Sequence, residues 1–258
     1  MRIARLKDPA RATFFAELDG EIAHRLDRAP WDGGRRTGST VGWRTSDLAC
    51  PVMPSKIVCI GRNYAAHARE LGHDVPAEPL LFLKAPSALV GPGDSVELPP
   101  ESARVEHEAE LAVVIGRRAK NVAGADALAH VLGFACACDV TARDLQKKDV
   151  QFTRSKSFDT FCPVGPWIET DVDPRGLAIR CRVNDRLRQD GTTANMIFDV
   201  STLIAYVSRM MTLEPGDTIL TGTPEGVGPL SSGDSLQVEI SGIGALTVGV
   251  VAPRAPGS

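Results

Sequence analysis

Two acidic residues have the type and spacing to bind a metal ion. Glu108 and Glu110 lead into the apolar run Leu-Ala-Val-Val-Ile-Gly, and on a strand residues two positions apart project from the same face. Like charges beside a buried strand are unfavourable unless a positive group lies between them, which a divalent cation would provide. A pair on a solvated face is the alternative. Glu106 shares this strand parity and could be a further carboxylate near the ion, whereas His107 has the opposite parity and is not a proposed ligand.

Asp139 adds another carboxylate. It follows the apolar residues 133–138, and Thr141 and Asp144 have the spacing of a helix capping box, which leaves Asp139 without an evident local role. Oxygen ligands on rigid strands, with no cysteine or histidine among them, favour a hard octahedral ion such as Mg²⁺ or Mn²⁺. Such a site leaves about three coordination positions for water and substrate oxygens.

Three residues are candidates for catalysis. His67 and Glu70 are three positions apart, so on a helix they can hydrogen-bond, and a carboxylate that orients an imidazole is a plausible general base. The alternative is an ion pair on an exposed helix surface. Without further evidence, the spacing of His67 and Glu70 favours this alternative. Lys156 lies between two serines and could stabilise an enolate or oxyanion by its charge, although a solvated surface lysine has the same sequence context.

Three further residues are candidates for substrate binding. Arg62 could grip a carboxylate through two hydrogen bonds, with a structural salt bridge as the alternative. Gln146 could hydrogen-bond a substrate or a metal-bound water, or lie on a helix surface. In the glycine-rich residues 221–228 the backbone N–H groups could form an anion site assisted by the Thr223 hydroxyl, although a tight turn between strands fits the same residues.

The elements that carry these residues are predicted to be mostly strands. Strands are expected over residues 57–60, 108–115 and 133–139, and helices over 65–71 and 198–211. Three Gly-Asp pairs, at 93–94, 216–217 and 233–234, each precede a strand, which favours a β-roll or sandwich over alternating strands and helices. Residues 13–18 and 21–26 flank Asp19-Gly20, which predicts a hairpin. A polar stretch follows over 32–40, and Pro51 and Pro54 then close the segment as a linker.

These patterns divide the chain into three parts. Residues 1–54 are expected to form a small β-rich amino-terminal domain and linker, residues 55–252 a catalytic domain, and residues 253–258 a tail. The fold class is therefore α+β, mostly β.

The bulk composition excludes several classes of protein. The net charge is -3 and the 29 basic residues are scattered, which argues against a nucleic acid or an anionic membrane surface as the partner. The charged start is unlike a signal peptide and no apolar run is long enough to span a membrane, so we expect a cytoplasmic protein. The six cysteines do not suit a disulfide scaffold, and Cys136 and Cys138 are interpreted as small buried hydrophobic residues.

Six segments, in this order along the chain, resemble the fumarylacetoacetate hydrolase superfamily, and together they make a specific signal. They are Gly-Arg-Asn-Tyr-Ala-Ala-His-Ala-Arg-Glu at 61–70, Leu-Phe-Leu-Lys at 81–84, Glu-Ala-Glu-Leu-Ala-Val-Val-Ile-Gly at 108–116, Asp-Val-Thr-Ala-Arg-Asp-Leu-Gln at 139–146, Lys-Ser-Phe-Asp-Thr at 156–160 and Thr-Gly-Thr-Pro-Glu-Gly-Val-Gly at 221–228.

The resemblance implies a mixed β-sandwich roll, a homodimer, and an Mg²⁺ or Mn²⁺ ion held by Glu108, Glu110 and Asp139. It also implies that the stretch around His67 and Glu70 is a short lid helix over bound substrate, and that this pair activates water in hydrolytic members. The first fifty residues resemble the small amino-terminal domain of some members.

The implied function is an Mg²⁺- or Mn²⁺-dependent enzyme that cleaves a carbon–carbon bond of a small 2-oxo or 2,4-dioxo acid through an enolate. Acylpyruvate or fumarylpyruvate hydrolysis and oxaloacetate decarboxylation are the reactions of this kind, and the His67–Glu70 pair slightly favours hydrolysis. The alternative is a 2-hydroxyhepta-2,4-diene-1,7-dioate isomerase or 5-oxopent-3-ene-1,2,5-tricarboxylate decarboxylase of aromatic-acid catabolism. A non-catalytic metabolite-binding relative is a further alternative, but it would not need His67, Glu70 and Lys156.

Overall fold

The computed structural model describes residues 1–8 and 12–253, and strands dominate its regular structure, as predicted. The first ten strands are β1 (Arg2–Lys7), β2 (Thr13–Asp19), β3 (Ile22–Leu26), β4 (Arg36–Gly42), β5 (Leu48–Ala49), β6 (Ile57–Gly61), β7 (Leu80–Lys84), β8 (Leu89–Val90), β9 (Ser95–Glu97) and β10 (Val105–His107). The next ten are β11 (Ala109–Ile115), β12 (Val131–Cys138), β13 (Thr141–Ala142), β14 (Cys162–Glu169), β15 (Ala178–Val183), β16 (Arg186–Thr192), β17 (Thr218–Leu220), β18 (Gly228–Pro229), β19 (Ser235–Ile240) and β20 (Gly244–Val251).

The helices are short. The α-helices are α1 (Ala65–Glu70), α2 (Arg143–Lys148), α3 (Thr153–Lys156) and α4 (Val200–Met210). Single turns of 3-10 helix cover Pro30–Asp32, Thr45–Asp47, Pro86–Ala88 and Thr193–Asn195, and a longer one covers Gly124–His130. Helix α4 begins where the Asp199 carboxylate accepts a hydrogen bond from the Thr202 N–H, and its buried face carries the apolar residues whose spacing predicted it. Among the described residues no helix has the length and apolar composition that crossing a bilayer requires.

Three sheets make up the fold. The largest has twelve strands in the order β4-β3-β2-β1-β14-β12-β11-β17-β6-β7, with β5 paired to β1 and β8 to β14. A five-stranded sheet has the order β16-β15-β19-β20-β9, and a three-stranded sheet the order β13-β10-β18. Strands β11, β12 and β14 of the large sheet pack against β15, β19 and β20, so the main hydrophobic core lies between the two larger sheets. The predicted sandwich of mostly β structure is confirmed.

The turns that launch strands follow the glycine pattern of the sequence. Gly93, Gly216 and Gly233 have φ angles of 77°, 89° and 94°, and each precedes an aspartate and then a strand. Gly20 has a φ of 56° between β2 and β3, as the hairpin prediction requires.

The amino-terminal strands extend the large sheet. Strand β1 pairs with β14 in the register Arg2 with Glu169, and a small second core under it contains Ala4, Leu6, Ala16, Ala23 and Leu48. The polar stretch 32–40 was assigned no strand from the sequence, but its second half belongs to β4, which pairs with β3. Of the predicted tail, residues 254–258 lie outside the described residues.

The predicted strand 108–115 is confirmed from Ala109 onward as β11, whereas Glu108 lies between β10 and β11, which belong to different sheets. The capping prediction for the second acidic segment is wrong. Thr141 does not cap helix α2, because it lies in β13 and its hydroxyl donates to the Asp139 carbonyl. The Asp144 carboxylate instead accepts hydrogen bonds from Ser102 Oγ and Ala103 N.

Candidate active site

One cavity collects the residues that the sequence selected for chemistry. Its volume is about 550 Å³, within the range of about 300–1,000 Å³ that is usual for small-molecule sites. All nine candidate residues line it: Arg62, His67, Glu70, Glu108, Glu110, Asp139, Gln146, Lys156 and Thr223.

The three carboxylates form one cluster. Each of Glu108, Glu110 and Asp139 offers an oxygen within 4.8 Å of the others, and none of these residues is more than 4% exposed. The pairing of β11 with β12 produces this arrangement, because Ala109 lies opposite Cys138 and the next pair along the register is Glu108 and Asp139. The Asp139 N–H accordingly donates to the Glu108 carbonyl over 2.8 Å.

Two buried lysines bind the cluster. Lys156 Nζ donates to Glu108 Oε2 at 2.7 Å and to Asp139 Oδ2 at 2.6 Å, and Lys84 Nζ donates to Asp139 Oδ1 at 2.6 Å. Burial opposes a charge on Lys156, but the carboxylates of Asp139 and Glu108 raise its pKa, so it stays an ammonium ion. The surface interpretation of Lys156 is therefore wrong, since the residue is 2% exposed.

Arg143 binds the cluster from the other side. Its guanidinium donates to Glu108 Oε1, to Glu106 Oε2 at 2.7 Å and to the Gln146 side-chain oxygen. Burial acts against ionisation of Glu108, yet Lys156 and Arg143 lower its pKa strongly. Glu106 does not join the acidic cluster, because the chain changes sheet after β10 and its carboxylate is held by Arg143 and Arg104.

Glu110 differs from its two neighbours in its charge balance. The Gly222 N–H donates to Glu110 Oε2 at 2.7 Å, and within the described ranges no lysine or arginine forms an ion pair with this carboxylate. Burial, and then the charges of Asp139 and Glu108, raise the pKa of Glu110 well above its ordinary value. A divalent cation in contact with the three carboxylates would supply the positive charge that Glu110 lacks, and an all-oxygen donor set suits a hard ion.

The candidate base lies on helix α1. His67 is 4% exposed, and its Nδ1 lies 3.3 Å from Glu70 Oε2. The Glu70 carboxylate also accepts the Gly226 N–H, at 3.0 Å and 3.2 Å to its two oxygens. The histidine of the pair is thus buried, whereas the Glu70 side chain is 34% exposed and joins α1 to the loop of residues 221–228.

The remaining candidates differ in how firmly they are held. Arg62 has a φ of 57° between β6 and α1 and forms no ion pair within residues 1–8 and 12–253, so the structural salt bridge considered for it is absent there. Thr223 is 3% exposed, and its hydroxyl donates to the Ala109 carbonyl at 2.8 Å. In the loop 221–228, the N–H groups of Gly222 and Gly226 bind the protein's own carboxylates, so they are not the predicted free anion site.

Sequence reasoning missed several charged residues of the cavity and its wall. Lys84 had a detectable signal, because a lysine that ends the apolar run 81–84 stands where a strand is expected to be buried. Arg143, Arg104, Lys147 and His73 also line the cavity. They had no signal in the sequence, since a charged residue beside a turn or on a short helix is usually exposed.

Comparison with known proteins gives consistent similarities. A model of the fumarylacetoacetate (FAA) hydrolase C-terminal family matches residues 56–251. The structure of 5-carboxymethyl-2-hydroxymuconate delta-isomerase from Mycobacterium smegmatis is 42% identical with a TM-score of 0.90, covering 98% of this chain and 100% of that one. The structure of 2-hydroxyhepta-2,4-diene-1,7-dioate isomerase from Mycobacterium marinum is 43% identical with a TM-score of 0.89, covering all of both chains. The mitochondrial oxaloacetate tautomerase FAHD2B of Bos taurus is 49% identical over an alignment of 216 residues that covers 79% of this chain and 69% of the bovine protein.

Proposed function

The chain belongs to the fumarylacetoacetate hydrolase family, whose members are enzymes, and on this premise we propose that it moves a proton on a small 2-oxo acid. The reacting carbon is the one next to the 2-oxo group, and the substrate carries a second carboxylate. The observation that carries the proposal is that a buried histidine and three buried carboxylates line the same cavity. The names of the relatives support proton movement, since a tautomerase relocates a proton and an isomerase rearranges its substrate without cleaving it.

A divalent metal ion is the proposed cofactor. Family members typically bind one, and Glu108, Glu110 and Asp139 would hold Mg²⁺ or Mn²⁺ here. When bound, the ion supplies Lewis acidity, which polarises the 2-oxo group and makes the neighbouring C–H more acidic.

His67 is the proposed base. If its Nδ1–H donates to Glu70 Oε2 across 3.3 Å, the other ring nitrogen is left free to accept the proton from carbon. Return of a proton from His67 to another carbon or to oxygen, with or without exchange with solvent, completes an isomerisation or a tautomerisation. Lys156 keeps its charge and can stabilise negative charge that develops on the substrate oxygen.

The second carboxylate of the substrate would meet positive groups of the same cavity. Arg62 and Lys147 line it, and within the described residues neither forms an ion pair with an acidic side chain. Both are therefore available for an anionic ligand. Gln146 also lines the cavity. Its side-chain oxygen accepts a hydrogen bond from Arg143, so its amide nitrogen is the group that would donate to a substrate.

Cleavage of an adjacent carbon–carbon bond is the second candidate. The His67–Glu70 pair supports this reaction too, because a base that can accept a proton from carbon can also activate a water molecule. Hydrolysis of acylpyruvate or fumarylpyruvate would use that water, whereas decarboxylation of oxaloacetate would not.

The two candidates separate in one assay. Four substrates are incubated in D₂O with the diamagnetic ion Mg²⁺: oxaloacetate, acetylpyruvate, fumarylpyruvate and 2-hydroxyhepta-2,4-diene-1,7-dioate. NMR follows deuterium at the reacting carbon and the appearance of cleavage products. Proton movement predicts deuterium uptake, or conversion between isomers, faster than without enzyme and without cleavage. Cleavage products that form as fast as deuterium is taken up or isomers are converted would favour the second candidate.

Variants test the assigned residues. His67→Asn should slow turnover by roughly 10²–10⁴-fold, the usual contribution of a positioned acid or base. His130→Asn, which alters a histidine outside the cavity, is the matched control. Glu110→Gln should abolish calorimetric Mn²⁺ binding. No acceleration of any substrate by the wild-type protein with Mn²⁺ would refute the proposed function.

We also propose a homodimer, as the resemblance implies. Light scattering during gel filtration should give twice the chain mass of 27.5 kDa. A mass of one chain at all concentrations would refute it.

A further inference from the structure

Gln189 lies behind the acidic cluster and makes four hydrogen bonds. It belongs to β16 of the five-stranded sheet and is 1% exposed. Its Oε1 lies 3.0 Å from the Ala109 N–H and 3.1 Å from His107 Nδ1. Its Nε2 donates to Thr223 Oγ1 at 2.7 Å and to the Pro224 carbonyl at 2.8 Å.

The partners fix the orientation of this amide. A backbone N–H can only donate and a carbonyl can only accept, so Oε1 must face Ala109 and Nε2 must face Pro224. His107 Nδ1 must then carry a hydrogen and donate to Oε1. Every hydrogen-bonding site of the carboxamide group is used, which holds the side chain in one position.

Two of these contacts, together with one between Thr223 and Ala109, close into a ring around Ala109. The Ala109 N–H donates to Gln189, Gln189 Nε2 donates to the Thr223 hydroxyl, and the Thr223 hydroxyl donates to the Ala109 carbonyl at 2.8 Å. Both polar backbone groups of Ala109 are therefore held by side chains. Ala109 is the residue between Glu108 and Glu110, at the point where β10 ends and β11 begins.

The ring also fixes the loop that covers the cluster. Thr223 and Pro224 belong to residues 221–228, whose Gly222 N–H donates to Glu110. The β16 backbone supports the same loop, because a Cβ on Gly226 would lie 2.2 Å from the Arg188 carbonyl oxygen. A change at residue 189 therefore reaches both the backbone between the two glutamates and the N–H that orients one of them.

We propose that Gln189 is a positioning residue that sets the separation of the Glu108 and Glu110 carboxylates and thereby the affinity of the cluster for a divalent cation. The inference rests on the proposed function, because the separation matters only if the carboxylates share an ion. Gln189 does not line the cavity and acts only through Ala109 and Thr223.

Calorimetric titration of the chelator-treated full chain with Mn²⁺ alone tests this. Gln189→Met removes every hydrogen bond of the amide, and Thr223→Val removes the hydroxyl at nearly constant shape. Each should weaken Mn²⁺ binding by roughly 10–100-fold, as loss of groups that orient metal ligands does. Thr223→Ser, which keeps the hydroxyl, should bind Mn²⁺ like the wild type. Gln237→Met, in the same sheet and outside the cavity, is the matched control and should also match it.

The double variant distinguishes a ring from two independent supports. Gln189→Met with Thr223→Val should bind Mn²⁺ no more weakly than the weaker single variant, because either change already opens the ring. Losses that multiply, or single variants that bind as tightly as the wild type, would overturn the inference and leave the proposed function standing. If the wild type itself binds no Mn²⁺, both proposals fail. Should Gln189→Met not fold, the Thr223→Val and Thr223→Ser pair decides alone.

Discussion

At the scale of single residues, the site is a balance of buried charges. Glu108, Asp139, Lys84 and Lys156 are all at most 4% exposed, and each of the two lysines contacts a different oxygen of Asp139. Burial of a charge is costly unless the charge is paired. Removal of one of these groups should therefore leave a partner unpaired and destabilise the fold.

Replacement of Lys84 tests this balance. Lys84→Met leaves Asp139 Oδ1 without its ammonium partner, and removal of one partner from a buried ion pair costs about 3–5 kcal/mol. In a protein of this size that lowers the melting temperature by roughly 6–20 °C. Added Mn²⁺ should restore part of the loss, because the ion replaces positive charge at the carboxylates. The exposed Lys120→Met is the control, and an equal response of both variants to heating and Mn²⁺ would contradict the account.

The chemical residues were predictable to different degrees. Glu108, Glu110 and Asp139 stand at strand ends, where strand parity and pairing bring them together, so their meeting follows from the sequence. Lys84 and Arg143 were not assigned a role, because the burial of a long cationic side chain depends on which strands become neighbours. Whether Glu106 faces an ion or an arginine was likewise decided by the change of sheet after β10.

At the scale of elements, the loop 221–228 is shaped by a glycine that no other residue can replace. Gly222 has a φ of 93°, and a Cβ there would lie 2.8 Å from Asn63 Cβ. Asn63 is itself fixed, since its side chain bonds both Phe198 backbone groups and the Thr221 carbonyl. These hydrogen bonds hold the start of the loop against the chain between β6 and α1.

Two glycine variants separate strain from crowding. Gly222→Ala and Gly233→Ala have nearly equal φ angles, 93° and 94°, but nothing lies within 4 Å of a Cβ on Gly233. Gly233→Ala should cost only the backbone strain, about 1–3 kcal/mol. Gly222→Ala should cost more and also weaken Mn²⁺ binding, because its N–H orients Glu110. Urea unfolding and calorimetry measure both effects, and equal losses of stability with unchanged Mn²⁺ affinity would contradict the prediction.

Helix α2 is tied to the chain before β10 by Asp144, with a definite pH dependence. Burial acts to raise the pKa of Asp144, but hydrogen bonds from Ser102 and Ala103 lower it overall. This stabilisation is complete above the ordinary pKa of about 3.9 and is lost as the pH falls through the lower folded value. Asp144→Asn should therefore lower the free energy of unfolding by about 1 kcal/mol at neutral pH. Urea unfolding should show the gap closing under acid conditions, and a gap that is constant with pH would contradict this.

The predicted boundaries of elements agree with the structure where a glycine or a periodic spacing of apolar residues marked them. The hairpin at Gly20 and helix α4 are of this kind. Strand β4 was missed because its seven residues are all exposed and only Val41 among them is a large apolar residue, so that pairing with β3 is what makes it a strand. The capping interpretation of Thr141 was wrong because Thr141 lies in β13, where it pairs with Glu106 of β10.

At the scale of the whole molecule, the amino-terminal strands and the cavity are separate. Strand β1 joins the large sheet through β14, and Trp43 packs edge-to-face on Trp167 at a ring distance of 6.3 Å. All residues that line the cavity lie between Ile60 and Thr223. The division at residues 54 and 55 thus remains a prediction about folding that a truncation can test.

Removal of residues 1–54 should spare the site and weaken the molecule. Mn²⁺ affinity should stay close to that of the full chain, because no cavity residue is removed. The melting temperature should fall and aggregation should increase, because the edge of β14 and the ring of Trp167 become exposed. Calorimetry and light scattering measure these effects. A truncated chain that has lost Mn²⁺ binding while still folded would contradict the separation.

The order of strands in the large sheet could not be predicted from the sequence, because β1 and β14 are far apart along the chain and no local pattern selects the partner.

The double duty of Glu70 has a consequence for turnover. The same carboxylate that aims the imidazole of His67 also fastens helix α1 to the Gly226 N–H. If α1 moves outward to admit or release a ligand, as the lid helix implied by the resemblance would, the hydrogen bond from Gly226 to Glu70 must break and Glu70 no longer orients His67. On the proposed function, proton abstraction would then be confined to the closed state, so that an intermediate exposed to bulk water would not face an oriented base.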